Sequence, residues 1–193
     1  MLPFLNMVTL GILADTHIPD RARKLHPEII PLLKKAQPDA IIHAGDISTP
    51  KVLRELEAVA PVHAVRGNRD IFMRHLPLTL NLKFEDIKIG ITHGHGNLTR
   101  YIKEKFLYLR YGPKMFSYFE DLALSIFPNA DVVIFGHSHV YAKKHIDGQL
   151  LFNPGSATIR NKYVPNATES IALMHIDGKI IETEQINLPT LPV

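Results

Sequence analysis

Val132-Val133-Ile134-Phe135-Gly136-His137-Ser138-His139 is the stretch that decides the fold. Its apolar run, bounded by polar residues, reads as a short buried strand. Gly136 has no Cβ, so the backbone there can turn and approach a neighbour closely. Two imidazoles follow, one residue apart, at the carboxyl end of the strand. Open α/β sheets place their sites at such ends. Four other strand ends in the chain also finish in Asp, His or Asn.

Upstream, Val8 to Ala14 is β-rich and runs into Asp15-Thr16-His17. A polar loop follows, and Glu28 to Gln37 has helical periodicity, with Pro27 in the first turn and lysines near the end. Pro38-Asp39 stops that helix. Ala40 to Ala44 is a second buried strand, ending in Gly45-Asp46. Ser48 or Thr49 caps a second helix that opens on Pro50 and turns Leu53, Leu56 and Val59 inward. Pro61 to Val65 is a third strand, ending in Gly67-Asn68-Arg69-Asp70. This order, β-α-β-α-β, is the grammar of a parallel sheet with right-handed crossovers.

The pattern then changes. Leu78 to Phe84 and Ile87 to Thr92 flank Glu85-Asp86 and read as antiparallel strands, the second ending in His93-Gly94-His95. Asn97 can cap a helix from Leu98 to about Tyr111, Gly112-Pro113 breaks it, and a second helix runs to about Phe127. Downstream of Val132, Asp147-Gly148 and Asp177-Gly178 mark two hairpins, because type I′ turns need positive φ at both central residues. The Pro-rich tail from Leu188 onward reads as loosely held.

Composition narrows the chemistry. The chain has 193 residues, enough for one domain, 1–193, with a full core. Cysteine is absent, so there is no disulfide framework and no thiolate metal site. Eleven histidines point to metal chemistry instead. A net charge of +3 and a pI near 9.1 favour anionic substrates, but the basic residues are scattered and form no nucleic-acid stripe. The first residues carry neither a basic n-region nor a small-residue cleavage site, and no apolar run approaches the roughly 20 residues of a membrane span. A cytoplasmic protein without membrane contact is expected.

The polar strand ends collect Asp15, His17, Asp46, Asn68, His93, His137 and His139. All offer oxygen or nitrogen to divalent transition metals. Seven ligands exceed one tetrahedral zinc and suit two ions roughly 3.5–4 Å apart that share a carboxylate. Such a pair polarises a phosphoryl oxygen and brings the pKa of a bridging water near neutrality. Two divalent ions outweigh two carboxylates and one bridging hydroxide by about one unit of charge, so the site attracts an anionic ester. Other histidines have plainer readings: His43 and His63 lie within strands and suit the core or a position behind the ligands, and His26 stands at a helix start.

Together, Asp15-Thr16-His17, Gly45-Asp46, Gly67-Asn68-Arg69-Asp70, Thr92-His93-Gly94-His95, Gly136-His137-Ser138-His139 and Asn153-Pro154-Gly155-Ser156 resemble the motifs of the calcineurin-like metallophosphoesterase superfamily, in its small YfcE-like phosphodiesterase branch. They span residues 8 to 156 in family order. The resemblance implies an α/β fold, a four-layer α/β/β/α sandwich of two mixed sheets flanked by helices. It implies a first metal on Asp15, His17, Asp46 and His139, and a second on Asp46, Asn68, His93 and His137, with Asp46 bridging. Manganese is the expected metal, with nickel, iron or zinc as alternatives. The implied reaction is hydrolysis of a small phosphodiester by attack of a metal-bridging hydroxide, with monoesters as a side activity.

Two features depart from the family or stay open. Many members carry His after the Gly-Asn as proton donor to the leaving group; here Arg69 stands there. A guanidinium is a poor general acid but can clamp a phosphate and stabilise transition-state charge. His95 is then the candidate proton donor. The stretch 98–127 is about twenty residues longer than in the smallest relatives and holds more than half of the chain's aromatics, which number six Tyr and nine Phe. A helical hairpin there, acting as core, as a lid or as a homodimer contact, is the expectation. Two other functions fit the fold: an interaction scaffold like the retromer subunit that shares it, or a nuclease. All seven ligand positions hold competent donors, which favours the enzyme, and no DNA-binding domain supports a nuclease.

Overall fold

Ten strands and three helices make up the part of the chain that the computed structural model describes, residues 7–96, 116–159, 164–165 and 167–190. The strands are β1 (Val8–Leu13), β2 (Ala40–His43), β3 (Val62–Ala64), β4 (Thr79–Phe84), β5 (Ile87–Thr92), β6 (Val132–Ile134), β7 (Tyr141–Ile146), β8 (Gln149–Pro154), β9 (Ser170–Asp177) and β10 (Ile180–Asn187). The helices are α1 (Ile29–Ala36), α2 (Pro50–Glu57) and α3 (Phe116–Ile126). Two five-stranded sheets form, ordered β10-β9-β1-β2-β3 and β4-β5-β6-β8-β7. Both are mixed: β1, β2 and β3 run parallel in the first and β5, β6 and β8 in the second, with antiparallel strands at their flanks.

Strand periodicity sorts the apolar residues into layers. Leu10, Ile12, Ile42 and Met174 of the first sheet meet Ile89, Ile91, Ile134 and Phe152 of the second in one buried core. The opposite face of the first sheet packs on α1 and α2 through Leu13, Ile41, Ile29, Leu33, Val52 and Leu56. The opposite face of the second packs on α3 through Val133, Phe135 and Leu151. This is the four-layer α/β/β/α sandwich. Each fully buried Leu or Ile adds about 1.5–3 kcal/mol.

Local signals explain the helices. In α1, Ile29 and Leu33 share the inner face, Lys34 and Lys35 suit the negative helix end, and Gln37 closes the helix with a left-handed φ of 49°. Thr49 caps α2, its side chain accepting from Lys51 N, with Pro50 at the first position. The inner face of α2 is Val52, Leu53 and Leu56, so Val52 joins the core ahead of Val59.

Two expectations change. Asp147-Gly148 forms its hairpin as read, with φ of 49° and 83°. In the other hairpin Asp177 pairs with Ile180 inside the ladder, so the loop is Gly178-Lys179, one residue later. Only Gly178 has positive φ there, which suits glycine as first central residue of a II′ turn. The tail is not loose at Leu188: that side chain is buried, its N–H donates to Glu169 O at 2.8 Å, and His26 Nε2 donates to Pro189 O at 2.9 Å. Of the aromatic stretch, Phe119 and Phe127 are core, forming the fourth layer with α3. A Cβ at Gly90 would collide with the Phe127 ring, so glycine is what lets α3 settle on β5. The first helix of the expected hairpin, with Tyr101, Phe106, Tyr108 and Tyr111, lies outside the described residues. No helix among the described residues is long and apolar enough to cross a membrane.

Candidate metal centre

The carboxyl ends of β1, β2, β3, β5 and β6 converge on the seam between the sheets. They bring together all seven of Asp15, His17, Asp46, Asn68, His93, His137 and His139. One group forms around Asp15: its Oδ1 lies 3.2 Å from His139 Nε2 and 3.7 Å from His17 Nε2. His17 and His139 point their Nε2 atoms at each other across 3.1 Å. A second group forms around His93: its Nε2 lies 3.4 Å from Asp46 Oδ1, 3.2 Å from Asn68 Oδ1 and 3.3 Å from His137 Nδ1. Asp46 faces both groups, with Oδ2 3.8 Å from His17 Nε2 and Oδ1 toward His93.

Such a meeting of nitrogen and oxygen donors suits cations. Asp15 Oδ1 is buried and has no hydrogen-bond partner among the described residues. His93 donates its Nδ1 proton to Ala44 O at 2.8 Å, which leaves the Nε2 lone pair facing the site. The donor atoms of Asp15, His17 and His139, and those of Asp15, Asp46 and His93, each lie within 4.8 Å of one another. The residues present therefore fit two hard or borderline divalent cations.

The backbone is bent to this purpose. Asp15, His17, Asp46, His137 and His139 all have positive φ, between 48° and 68°. Left-handed backbone is uncommon outside glycine and gathers at functional sites. Five such positions on three different loops, all candidate ligands, point to a demand beyond folding. Gly67 serves the same end, since a Cβ there would run into the Asp46 carboxylate.

Hydrogen bonds fix the loops. Asp15 Oδ2 accepts from His137 N at 3.0 Å, and Asp46 Oδ1 accepts from Arg69 N at 2.8 Å. Asp70 accepts from Ile47 N and Ser48 N on Oδ1 and from Gly67 N on Oδ2, at 2.9, 2.6 and 2.7 Å. One carboxylate thus ties the loop of Asp46 to the loop of Asn68. Asn153 Nδ2 donates to Gly136 O at 2.9 Å and Ser156 Oγ to Asp15 O at 3.0 Å, so the Asn153–Ser156 turn supports the ligand loops from behind. Phe119 sets its ring edge-on to His137, centroids 4.7 Å apart. Sequence reasoning left Asp70 unassigned, although it stands in the quoted Gly67–Asp70 stretch. Phe119 carried no local signal at all.

Charge follows geometry. Burial raises Asp15, but the imidazoles of His139 and His93 outweigh it and hold the carboxyl below its ordinary range. Burial also raises Asp46, and His93, His17 and the Arg69 N–H overcome it. His93 moves the other way: burial lowers it, while Asp46, Asp15 and the Ala44 carbonyl push it up to about 10. Without cations, the proton on His93 is what balances the two carboxylates. Burial lowers His17 to about 4 and His43, His95 and His137 to about 3. Burial raises Asp70 against its amide donors. His43 stands behind the ligands, its Nε2 3.1 Å from Thr16 Oγ1.

Arg69 and His95 both border this centre. The Arg69 guanidinium pairs with Asp20 at 2.6 Å, while its backbone holds Asp46. The His95 ring lies 5.3 Å from His93 and 6.4 Å from His137. Burial, with the charge of His93 second, keeps His95 neutral at pH 7 in the metal-free protein.

The chain is similar to known proteins over most of its length. Residues 8–179 match the family model of the calcineurin-like phosphoesterase superfamily domain. A probable metallophosphoesterase of Methanothermobacter thermautotrophicus is 33% identical over 182 residues, 92% of this chain and 91% of that one. Vacuolar protein sorting-associated protein 29 of Schizosaccharomyces pombe is 31% identical over 183 residues, covering 88% of this chain and 86% of its own. Among solved structures, Vps29 of Chaetomium thermophilum shares the fold with a TM-score of 0.71 at 18% identity, over 97% of this chain and all of that one.

Proposed function

The chain belongs to the calcineurin-like phosphoesterase superfamily, and on that premise we propose that it is a dinuclear metal-dependent phosphodiesterase acting on small phosphate diesters in the cytoplasm. The observation that carries this reading is Asp46, whose two oxygens turn to two separate groups of nitrogen and oxygen donors.

Asp15, His17, Asp46 and His139 would hold one cation, and Asp46, Asn68, His93 and His137 the other. Manganese suits this oxygen and imidazole set, and nickel, iron or zinc could replace it. When bound, two such ions supply a nucleophilic water at neutral pH and polarise the phosphoryl oxygen. The chain's own residues do the rest. Ala44 O fixes the His93 tautomer, so its Nε2 always faces inward. The Arg69 guanidinium offers paired N–H donors to the non-bridging oxygens of the phosphoryl group, where transition-state charge gathers. His95 lies beside His93 and His137 and donates a hydrogen bond to the leaving oxygen. As a neutral imidazole it favours esters whose leaving groups need little protonation.

A second reading is an interaction scaffold, favoured by the match to the vacuolar protein sorting-associated protein. The full set of ligands weighs against it. Chelator-stripped protein, resupplied with manganese, nickel, zinc or magnesium, decides between the two. Metal-restored hydrolysis of bis-p-nitrophenyl phosphate, faster than that of p-nitrophenyl phosphate, is expected. Two metals bound per chain with no turnover of either ester would favour the scaffold.

A further inference from the structure

We propose that Asp20 sets the preference for singly charged phosphate esters by neutralising Arg69 at the rim of the centre. The inference rests on the phosphodiesterase reading and names what selects the diester. Asp20 follows His17 by three residues, on a turn closed by Arg21 N donating to His17 O at 2.8 Å. His17 N and Ile18 N in turn donate to Asp46 O and Ile47 O. Arg69 stands on the facing loop, its backbone N on Asp46 Oδ1 and its neighbour Asp70 holding three amides. Both loops are therefore anchored, and the ion pair of 2.6 Å closes the gap between them. Asp20 and Arg69 are 37% and 38% exposed, open to a substrate.

Among the described residues, three arginines stand near the centre. Arg21 and Arg66 are near enough to act on His17 and His95, and Arg69 is the one with a carboxylate partner among the described residues. A bare guanidinium at the rim would reward each negative charge on a phosphoryl group bound at the centre. A monoester near neutral pH carries almost two such charges, since the second phosphate pKa is about 6; a diester carries one. A carboxylate in contact with the guanidinium cancels most of this reward. Arg69 keeps its remaining N–H donors for hydrogen bonding, but no longer favours the dianion. The ion pair itself adds little stability, as surface pairs do; its effect is on which charge the site prefers.

The test is Asp20→Asn, which keeps shape and hydrogen bonding and removes the charge. The ratio of kcat/KM for p-nitrophenyl phosphate over that for bis-p-nitrophenyl phosphate should rise about tenfold, the order expected for one unit charge at this range in half-solvated surroundings. Calorimetric titration of the metal-loaded protein should show inorganic phosphate binding more tightly in the variant, with dimethyl phosphate changing much less. Asp86→Asn removes the same charge at the β4–β5 turn, where Asp86 pairs with Lys83, and should leave both readouts as they are. An unchanged ratio, equal tightening of both anions, or the same shift from Asp86→Asn overturns the proposal. If the wild type hydrolyses neither ester, the phosphodiesterase reading fails by itself, and the two titrations still decide the role of Asp20.

Discussion

The first sheet brings Asp15, Asp46, Asn68 and a single imidazole, His17, to the seam, whereas the second brings imidazoles alone, His93, His137 and His139. All of the carboxylates at the centre thus stand on one sheet, and the other supplies imidazole nitrogens. The two halves are stitched together at this end. His93 reaches Ala44 O, His137 N reaches Asp15 Oδ2, Ser156 reaches Asp15 O, and Thr158 Oγ1 donates to Thr16 O at 2.6 Å. At the opposite end, Gly178 N donates to Glu85 Oε2 at 2.6 Å between two exposed turns. The contrast teaches that each sheet brings its own chemistry to one end, carboxylates from the first and imidazoles from the second, and that the stitching fixes how they face one another.

Four experiments break or sharpen this contrast. Asp46→Asn removes the charge both groups share; esterase activity should fall on the order of 10³-fold and metal content should drop below two per chain by elemental analysis. Wild-type metal content would contradict the sharing. His137→Ala takes one neutral donor from the second sheet. Metal content should fall from two to one, with activity down about 10²-fold, because the carboxylates still hold the first cation. Asp70→Asn leaves an acceptor for Ile47 and Ser48 but turns an amide N–H₂ toward the Gly67 N–H. Chemical denaturation should show a loss of about 1–3 kcal/mol, with activity falling about tenfold through misplacement of Asp46 and Asn68.

The smallest effect is with pH, in metal-free protein. His17, His43, His95 and His137 take up protons at lower pH folded than unfolded, about 3 to 4 against 6.5. The unfolded chain therefore gains protons first, and stability falls as pH drops from 6.5 toward 4. Asp15 and Asp46, held low, lose their contribution below the ordinary carboxylate range, in the same direction. His93 opposes them: its contribution is complete below 6.5 and is lost as pH rises to about 10. Melting of chelator-treated protein should drop by at least about 5 °C between pH 7 and pH 5; a flat profile would mean that burial does not control these imidazoles.

Much of this was legible in the sequence because it is local. Ligand types at strand ends, Pro50 after Thr49, and the alternation in β4 and β5 need only their neighbours. The seven candidate ligands are brought together as the motifs imply. What could not be read depends on tertiary register. Asp70 acts on amides 22 and 23 residues away, Asp20 meets Arg69 across 49 residues, and His26 reaches the tail across 163. The second Asp-Gly turn slipped by one residue because Asp177 is claimed by its ladder partner Ile180, which a tetrapeptide cannot show. The aromatics of α3 looked the same whether destined for core or surface; Gly90, far away in sequence, decides that Phe127 goes inside.

The five left-handed backbones have a consequence for how this protein would evolve. Each asks an L-residue to hold a conformation that glycine adopts freely, at about 1 kcal/mol apiece, whether or not a cation is present. Selection for thermal robustness alone would then favour glycine at Asp15, His17, Asp46, His137 and His139, and each such change would also delete a candidate ligand. A lineage freed from catalysis has an easy downhill path to a sturdier, metal-blind shell on the same two sheets. The side chains on those five left-handed backbones are what stands between this chain and that outcome.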